Sequence, residues 1–100
     1  MTVAYAVVLL DVRDRVIYGE YARRATEIEA RHGGRPLVVA DAEEVVEGDW
    51  PSGRVVVLEF PSLEAARAWY SDPEYGELIP MRHRATDSRI LFVEGFEPTG

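Results

Sequence analysis

Four residue types are missing from this 100-residue chain: cysteine, lysine, asparagine and glutamine. Without cysteine there is no disulfide, no thiolate nucleophile and no zinc–thiolate site. Without lysine there is no amine for a Schiff base and no lysine for a phosphate-binding loop. Arginine does not shuttle protons at neutral pH, so acid–base chemistry is left to two histidines, five tyrosines and the carboxylates.

Positive charge is also scarce, since the formal net charge is -7. A protein that binds a nucleic-acid backbone or an anionic membrane surface needs clustered basic residues. We therefore expect neither nucleic acid nor a membrane as a partner. The N-terminal run MTVAYAVVLLDV has no basic leader region and is too short to span a bilayer, which predicts a cytoplasmic protein.

The hydrophobic content of 47% suits one globular domain of this length. We expect residues 1–97 to form this single domain and residues 98–100 to be a tail. The two histidines lie far apart in a chain without cysteine, so we expect no metal site. No motif for an organic cofactor is present, and none is expected.

Hydrophobic periodicity predicts four strands and two helices in the order βαββαβ. Strands are expected over residues 3–12, 35–48, 53–60 and 88–96, because these runs are rich in aliphatic and β-branched residues. A helical period begins after Asp14 and ends at Gly33. The second helix begins after Ser62 and restarts at Asp72, and Pro80 is expected to break or kink it.

The strands AVVLL, VVVL and ILFV are apolar on both alternating faces. Two helices cover only one face of a four-stranded sheet, so the other apolar face needs a second cover. The simplest cover is a second copy of the chain. The acidic second strand is expected at an edge, and the first and third strands in the centre. Right-handed crossovers then give an α+β, ferredoxin-like antiparallel sheet with two helices on one face.

The whole chain resembles domain-of-unknown-function family 1330, within the dimeric α+β barrel superfamily. The segments YGEYARRA, HGGRPLV, EGDWPSGRVVVLEFPSLEAARAWYSDPEY and DSRILFVEG carry the resemblance. It implies ferredoxin-like dimers whose sheets pack face to face, and it brings no established activity. Barrel-type proteins with known activities include small monooxygenases, lactone isomerases and haem-degrading enzymes, several of which need no metal or organic cofactor. Many hold a small ligand between the sheet and the helices.

The loop GDWPSG presents Trp50 between two strands. Its ring is either a packing anchor, within the subunit or across a dimer, or a lid over a ligand pocket. Pro51 restricts Trp50 to an extended backbone and so directs the ring. Arg54 follows the loop and either pairs with Glu47 across the hairpin or binds an anionic substrate.

Three further candidates lie at element ends or in the central strand. Arg35 either clamps a ligand carboxylate or caps the first helix. His32 either interacts with the helix dipole or acts as a general base at the rim of the cleft. Glu59 either meets water at a strand end or is a buried base with a raised pKa.

Arg82 and His83 follow Pro80 and are either solvated or directed inward. If they face inward, Arg82 would hold an anion and His83 would transfer a proton. The tyrosines of the two helices are core residues or the lining of a pocket, and Tyr21 is our binding candidate among them. The expected catalytic residues are thus Glu59, His83 and His32, with Arg82, Arg35, Trp50, Arg54 and Tyr21 contacting the ligand.

Two functions fit these observations. The first is a small-molecule site between sheet and helices with cofactor-free isomerase or monooxygenase-like chemistry on a small organic acid or aromatic ligand. The second is a non-catalytic homodimer that binds a metabolite or a partner protein, which the absence of a sharp catalytic constellation favours.

Overall fold

The computed structural model describes residues 2–50 and 53–97. Four strands and three helices follow the predicted order, with the second predicted helix divided in two. The elements are β1 (Ala4–Val12), α1 (Arg15–Arg31), β2 (Arg35–Asp41), β3 (Arg54–Phe60), α2 (Leu63–Ser71), α3 (Pro73–Ala85) and β4 (Thr86–Glu94). The predicted tail and the predicted effect of Pro51 on Trp50 fall outside the described residues.

Side-chain caps begin the helices where the sequence predicts them. Asp14 accepts hydrogen bonds from the backbone of Val16 and Ile17, both at 3.0 Å, and so begins α1. Ser62 accepts from the backbone of Ala65 at 3.0 Å. Asp72 ends α2 and begins α3, with Pro73 at the first helical position.

The sheet has the strand order β2-β3-β1-β4, and every neighbouring pair is antiparallel. The most apolar strands β1 and β3 are central, and β2 lies at an edge, as predicted. This α+β arrangement is the expected ferredoxin-like one. A bulge between Pro36 and Val38 shifts the register of β2 against β3.

Alternating side chains divide the sheet into two faces. The helix face carries the buried residues Ala4, Ala6, Val8, Leu10, Leu58 and Phe60. The outer face carries the apolar residues Val7, Leu9, Val55, Val57, Leu91 and Val93, and the charged residues Glu59 and Arg89 lie on the same face. No helix among the described residues covers the outer face, and Leu91 there is 56% exposed.

The expected end of the second strand is wrong, and so is the expected break at Pro80. The second strand ends at Asp41, whereas a strand to residue 48 was expected. Its partner β3 begins only at Arg54, so the residues after Asp41 have no strand to pair with. The α3 helix continues through Pro80 to Ala85. Pro80 cannot bond the carbonyl of Gly76, but both residues are exposed, so water can satisfy that carbonyl.

No helix in residues 2–50 and 53–97 has both the length and the apolar character that a membrane span requires.

The junction between α1 and β2 gives a prediction about stability. A Cβ on Gly34 would lie 2.5 Å from the ring of Phe60, which is fully buried and cannot move aside. We expect Gly34→Ala to lower the free energy of unfolding by about 1–3 kcal/mol through overpacking. Denaturant unfolding followed by circular dichroism measures this.

The matched control is Gly19→Ala within α1, where an added Cβ meets nothing within 4 Å. Alanine is the better helix former, so this variant should gain roughly 0.5–1 kcal/mol. Equal effects of the two substitutions would contradict the close approach of Gly34 to Phe60.

Candidate functional site

A cavity of about 110 Å³ lies between α1, α3 and the helix face of the sheet. Most of its lining is apolar, and both the strands and the helices contribute to it. Pro36 and Val39 of the edge strand β2 line it and are also exposed, so the cavity opens beside that edge. The polar side chains of the lining are Tyr18, Tyr21, Thr26, Glu29, Tyr75 and Arg82.

One face of α1 forms a wall of this cavity. Tyr18, Tyr21, Ala25 and Glu29 follow each other at steps of three or four residues, which places them on the same side of the helix. Tyr21, Ala25 and Glu29 are buried. The wall thus has phenol groups toward its N-terminal end and a carboxyl group toward its C-terminal end.

Arg82 enters the cavity from α3 and is 3% exposed. Its Nη1 donates to the hydroxyl of Tyr75 at 2.6 Å, and its Nε donates to the hydroxyl of Ser88 at 3.2 Å. Its Nη2 donates to the hydroxyl of Tyr70 at 3.4 Å and lies 3.3 Å from Nε2 of His83. A guanidinium has five N–H groups, so one on Nη1 is left over.

The charge of Arg82 has no anionic partner among residues 2–50 and 53–97, since no carboxylate there lies within 4.0 Å of it. Burial lowers the pKa of Arg82, but the adjoining phenols of Tyr75, Tyr70 and Tyr21 outweigh burial and raise it. The guanidinium is therefore a fixed positive charge. A buried charge without a counter-charge is unfavourable, which makes this position receptive to an anion.

The hydroxyls of Tyr21 and Tyr75 lie 2.7 Å apart. Burial raises the pKa of both phenols, so both keep their protons at neutral pH. Tyr75 already accepts from Arg82 and can donate its own proton to Tyr21. When Tyr75 donates to Tyr21, the hydroxyl hydrogen of Tyr21 is left to donate into the cavity.

Glu29 is 8% exposed, and burial alone raises its pKa to about 7. A carboxyl group in an apolar setting loses hydration that favours its charged form. At neutral pH it is therefore divided between acid and carboxylate. Such a group can both accept and return a proton, which is what general acid–base catalysis requires.

Aromatic rings complete the floor of the cavity. Trp69 packs on Tyr75 with ring centroids 4.5 Å apart and on Phe60 at 5.3 Å. The indole Nε1 of Trp69 is buried and has no hydrogen-bond partner in the described part of the chain. An unpaired buried donor costs about 1–3 kcal/mol, so an acceptor supplied by a ligand would relieve that cost.

Of the predicted site residues, the structure brings Arg82 and Tyr21 into this cavity. His83 is exposed and contacts Arg82 through its ring without lining the cavity. His32 caps the end of α1 and lies 2.8 Å from a carboxylate oxygen of Asp72. That hydrogen bond is the main cause of the lowered pKa of Asp72.

Two other candidates meet each other on the outer face. Nε of Arg35 donates to Glu59 at 3.0 Å, and the two residues are directly opposite in the β2–β3 register. Leu58 and Phe60 point toward the helices, so strand alternation places Glu59 on the other side of the sheet from the cavity.

The remaining candidates lie at the start of β3 and in the loop before it. Arg54 pairs with Asp41 at 3.2 Å, not with the expected Glu47, and its guanidinium lies 5.7 Å from the centroid of the Tyr18 ring. Trp50 is 54% exposed and lies in a shallow depression beside Val55 of the outer face. Neither residue lines the cavity.

Glu29 and Tyr75 were not among the predicted site residues. The signal for Glu29 was its place four residues after Ala25 on the apolar stripe of α1. The signal for Tyr75 was its separation of seven residues from Arg82, which is two helical turns. Within residues 2–50 and 53–97 no cluster of histidine and acidic side chains suited to a metal ion is found.

Comparisons with known proteins agree with this fold. The model of the family described as "Domain of unknown function (DUF1330)" matches residues 3–96. No curated protein matches the chain. A crystal structure of a protein of unknown function from Rhodopseudomonas palustris is similar with a TM-score of 0.80 and 24% identity, over 97% of this chain and 85% of that chain.

Two other solved structures share the fold at lower identity. SnoaB, a cofactor-independent oxygenase from Streptomyces nogalater, has a TM-score of 0.71 and 13% identity, over 97% of this chain and 96% of its own. A dabb family protein with a ferredoxin-like fold from Mesorhizobium loti has a TM-score of 0.62 and 10% identity, over 97% and 98%. At such identities the likeness concerns the fold alone.

The buried carboxyl group gives a prediction about pH. The pKa of Glu29 is raised in the folded protein from 4.5 to about 7, so the unfolded state loses this proton first as pH rises. Wild type should therefore lose stability relative to Glu29→Gln between these two pH values, by roughly 3 kcal/mol in total. Urea unfolding at a series of pH values measures the difference.

The control is Glu27→Gln, an exposed carboxylate on the same helix. The free energy of unfolding of Glu29→Gln should diverge from that of wild type as pH rises more than that of Glu27→Gln does. If the difference in free energy of unfolding between Glu29→Gln and wild type is the same at every pH, the carboxyl group of Glu29 is hydrated in the folded protein.

Proposed function

This chain belongs to the DUF1330 family, and we propose that it binds a small planar organic anion in the cavity beneath α1. The observation that carries the proposal is the buried guanidinium of Arg82, which has no carboxylate partner in the described part of the chain. A ligand carboxylate or enolate would supply the missing charge.

The remaining hydrogen-bond capacity around Arg82 supports an oxygen anion as ligand. One Nη1 hydrogen is not used by Tyr75, Tyr70, Ser88 or His83. The Tyr21 hydroxyl adds a second donor when Tyr75 donates to it. Two neighbouring donors beside a fixed positive charge suit a carboxylate or a pair of adjacent oxygens.

The rest of the lining supports a flat and largely apolar ligand body. Trp69 and Tyr75 present ring surfaces, while Val8, Leu58 and Ile90 present aliphatic surface. Sites for small molecules are generally apolar with a few convergent polar groups, as this cavity is. An aromatic or conjugated organic acid combines the flat body with the anionic group.

We further propose cofactor-free proton-transfer chemistry of the isomerase or oxygenase type at this site. A buried carboxyl group, Glu29, lies in the same cavity as the anion-binding group, which supports acid–base turnover. The structural similarity to SnoaB, a cofactor-independent oxygenase, is consistent with such chemistry on this fold. Glu59, His32 and Arg35 do not line the cavity, so the proposal gives them no ligand contact.

The alternative is a non-catalytic homodimer that binds a metabolite without converting it. The aromatic rings of Tyr75 and Trp69, which fill much of the space beneath the helices, favour this alternative. The two functions share the binding step and differ in turnover.

We propose that two copies of the chain pack through the outer faces of their sheets. Val7, Leu9, Val55, Val57, Leu91 and Val93 form a continuous apolar surface there. A contiguous apolar patch on a small protein generally marks an interface. Trp50 lies beside Val55 at the margin of this face, which supports its role as an anchor across the dimer.

The binding proposal predicts a loss of affinity in Arg82→Met. The probe is phenylpyruvate, an aromatic 2-oxo acid, and binding is followed by quenching of Trp69 fluorescence. A Trp50→Phe background leaves Trp69 as the only tryptophan. Loss of a buried charge-assisted contact should weaken binding roughly ten- to hundredfold.

The matched control is Arg84→Met, an exposed arginine two residues along the same helix, which should bind as wild type does. Tyr21→Phe removes only one hydroxyl and serves if Arg82→Met does not fold, with a loss of about tenfold expected. Equal binding in all three variants, or no binding of phenylpyruvate to wild type, would overturn the proposed site.

The assembly proposal predicts a mass of twice the 11.2 kDa chain by light scattering at micromolar concentration. Leu91 lies opposite Val7 in the register, near the middle of the outer face. We expect Leu91→Arg to give a folded monomer, because an arginine buried in an apolar interface has no partner.

Val16→Arg is the control, because Val16 is 83% exposed on α1 and away from the outer face. It should remain dimeric. A monomeric wild type, or a dimeric Leu91→Arg variant, would contradict packing through this face.

A further inference from the structure

We propose that the cavity continues into a second, polar pocket beside Tyr18, where Arg54 and Asp41 together bind a hydroxyl group at the far end of the ligand. The ligand class is thereby narrowed to an aromatic organic acid with a phenolic hydroxyl group opposite its acid group. This inference rests on the proposed function, because Arg82 holds the acid group of the same ligand.

The polar pocket adjoins the cavity beneath α1. It has a volume of about 380 Å³ and is open to solvent where β1 and β2 end and where α1 and β3 begin. Leu10 and Tyr18 line both the cavity and the polar pocket, so the two spaces meet at these side chains. Leu10 is buried, whereas Tyr18 is only half-buried, so its ring can turn without unpacking the core. Such a turn joins the two spaces.

Arg54 and Arg82 lie over the same row of the sheet, on either side of Leu10. In the strand register Leu10 is opposite Arg54 of β3 and opposite Ser88 of β4. Arg82 approaches this row from the β4 side, because its Nε donates to the hydroxyl of Ser88 at 3.2 Å. Neighbouring strands are about 4.8 Å apart, which places the backbone of Arg54 about 10 Å from that of Ser88. An aromatic acid that lies across the strands can therefore reach from one arginine to the other.

Tyrosine side chains connect the two arginines. The guanidinium carbon of Arg54 lies 5.7 Å from the centroid of the Tyr18 ring, and the centroids of Tyr18 and Tyr21 lie 6.0 Å apart. The hydroxyl of Tyr21 is 2.7 Å from that of Tyr75, to which Arg82 donates at 2.6 Å. Tyr18 and Tyr21 thus form an aromatic wall for a ligand ring between the two guanidinium groups.

Arg54 differs from Arg82 in having a counter-charge. Its Nη1 donates to Oδ1 of Asp41 at 3.2 Å, and its Nε is buried with no hydrogen-bond partner in residues 2–50 and 53–97. A hydroxyl group can accept a hydrogen bond from a guanidinium and donate one to a carboxylate at the same time. The pair of Arg54 and Asp41 therefore suits a hydroxyl group.

The other charged side chains of the polar pocket lead to the same choice. Arg15 and Asp11 are exposed and line it together with Arg54 and Asp41, so two positive and two negative charges balance. A second ligand carboxylate would be attracted by the arginines and repelled by the aspartates. An uncharged hydroxyl group meets no such repulsion.

Two compounds that differ by one hydroxyl group test the polar pocket. The probes are phenylpyruvate and 4-hydroxyphenylpyruvate, and isothermal titration calorimetry measures both dissociation constants. We expect wild type to bind the hydroxylated compound roughly tenfold more tightly, because it gains hydrogen bonds to charged groups. Arg54→Met should abolish this preference and leave the affinity for phenylpyruvate unchanged.

The matched control is Arg35→Met. Arg35 also donates to a carboxylate across β2 and β3, that of Glu59, but this pair lies on the outer face of the sheet. The variant should keep the wild-type preference. Asp41→Ala serves if Arg54→Met does not fold, because it removes the acceptor of the hydroxyl hydrogen and should reduce the preference too. Arg82→Met should weaken the binding of both compounds.

The outcomes separate the polar pocket from the binding site beneath α1. If wild type binds the two compounds equally, the polar pocket does not bind the hydroxyl group, while the binding site stands. The same conclusion follows if Arg54→Met, or Asp41→Ala in its place, keeps the wild-type preference. If wild type does not bind phenylpyruvate, both the binding proposal and the polar pocket are overturned.

Discussion

The burial of the Arg82 guanidinium is the constraint on which the arrangement beneath the helices depends. A charge removed from water must be surrounded by acceptors, and here they come from three elements: Tyr70 on α2, Tyr75 on α3 and Ser88 on β4. Tyr75 then orients Tyr21 of α1. One side chain thus links the helices to each other and to the sheet, and these contacts leave one of its N–H groups free.

Local sequence signals were sufficient to predict the order of the elements and the arrangement of the sheet. They failed where the end of an element depends on residues that are far away in the sequence. Caps such as Asp14 act within a few residues, and the two-sided apolarity of β1 and β3 placed them in the centre of the sheet. The end of β2 depends on where β3 begins, which the sequence of β2 does not contain. The continuation of α3 through Pro80 depends on solvent around Gly76, which is likewise a property of the folded molecule.

The candidate site was predictable only in part, for reasons that differ between residues. Arg82 and Tyr21 were predicted to contact a ligand. The sequence left the direction of Arg82 open, because whether a side chain after Pro80 faces inward depends on the path of the whole helix. Glu29 is one acid among 18, and burial distinguishes it from the others only once β2 and α1 enclose it. Glu59 was a weaker candidate even from sequence, because strand alternation places its side chain on the other face of the sheet from Leu58 and Phe60.

The first half of β1 carries smaller side chains on the helix face than on the outer face. On the helix face β1 carries the small residues Ala4 and Ala6, which leave room for the large rings of Trp69 and Tyr75. On the outer face the same strand carries Val7 and Leu9, which no helix of the described residues covers. Because successive side chains of a strand point to opposite faces, the cavity and the apolar outer face share a backbone without sharing side chains. The binding proposal and the assembly proposal can therefore be tested by separate substitutions, and any coupling between the two faces must pass through the strands themselves.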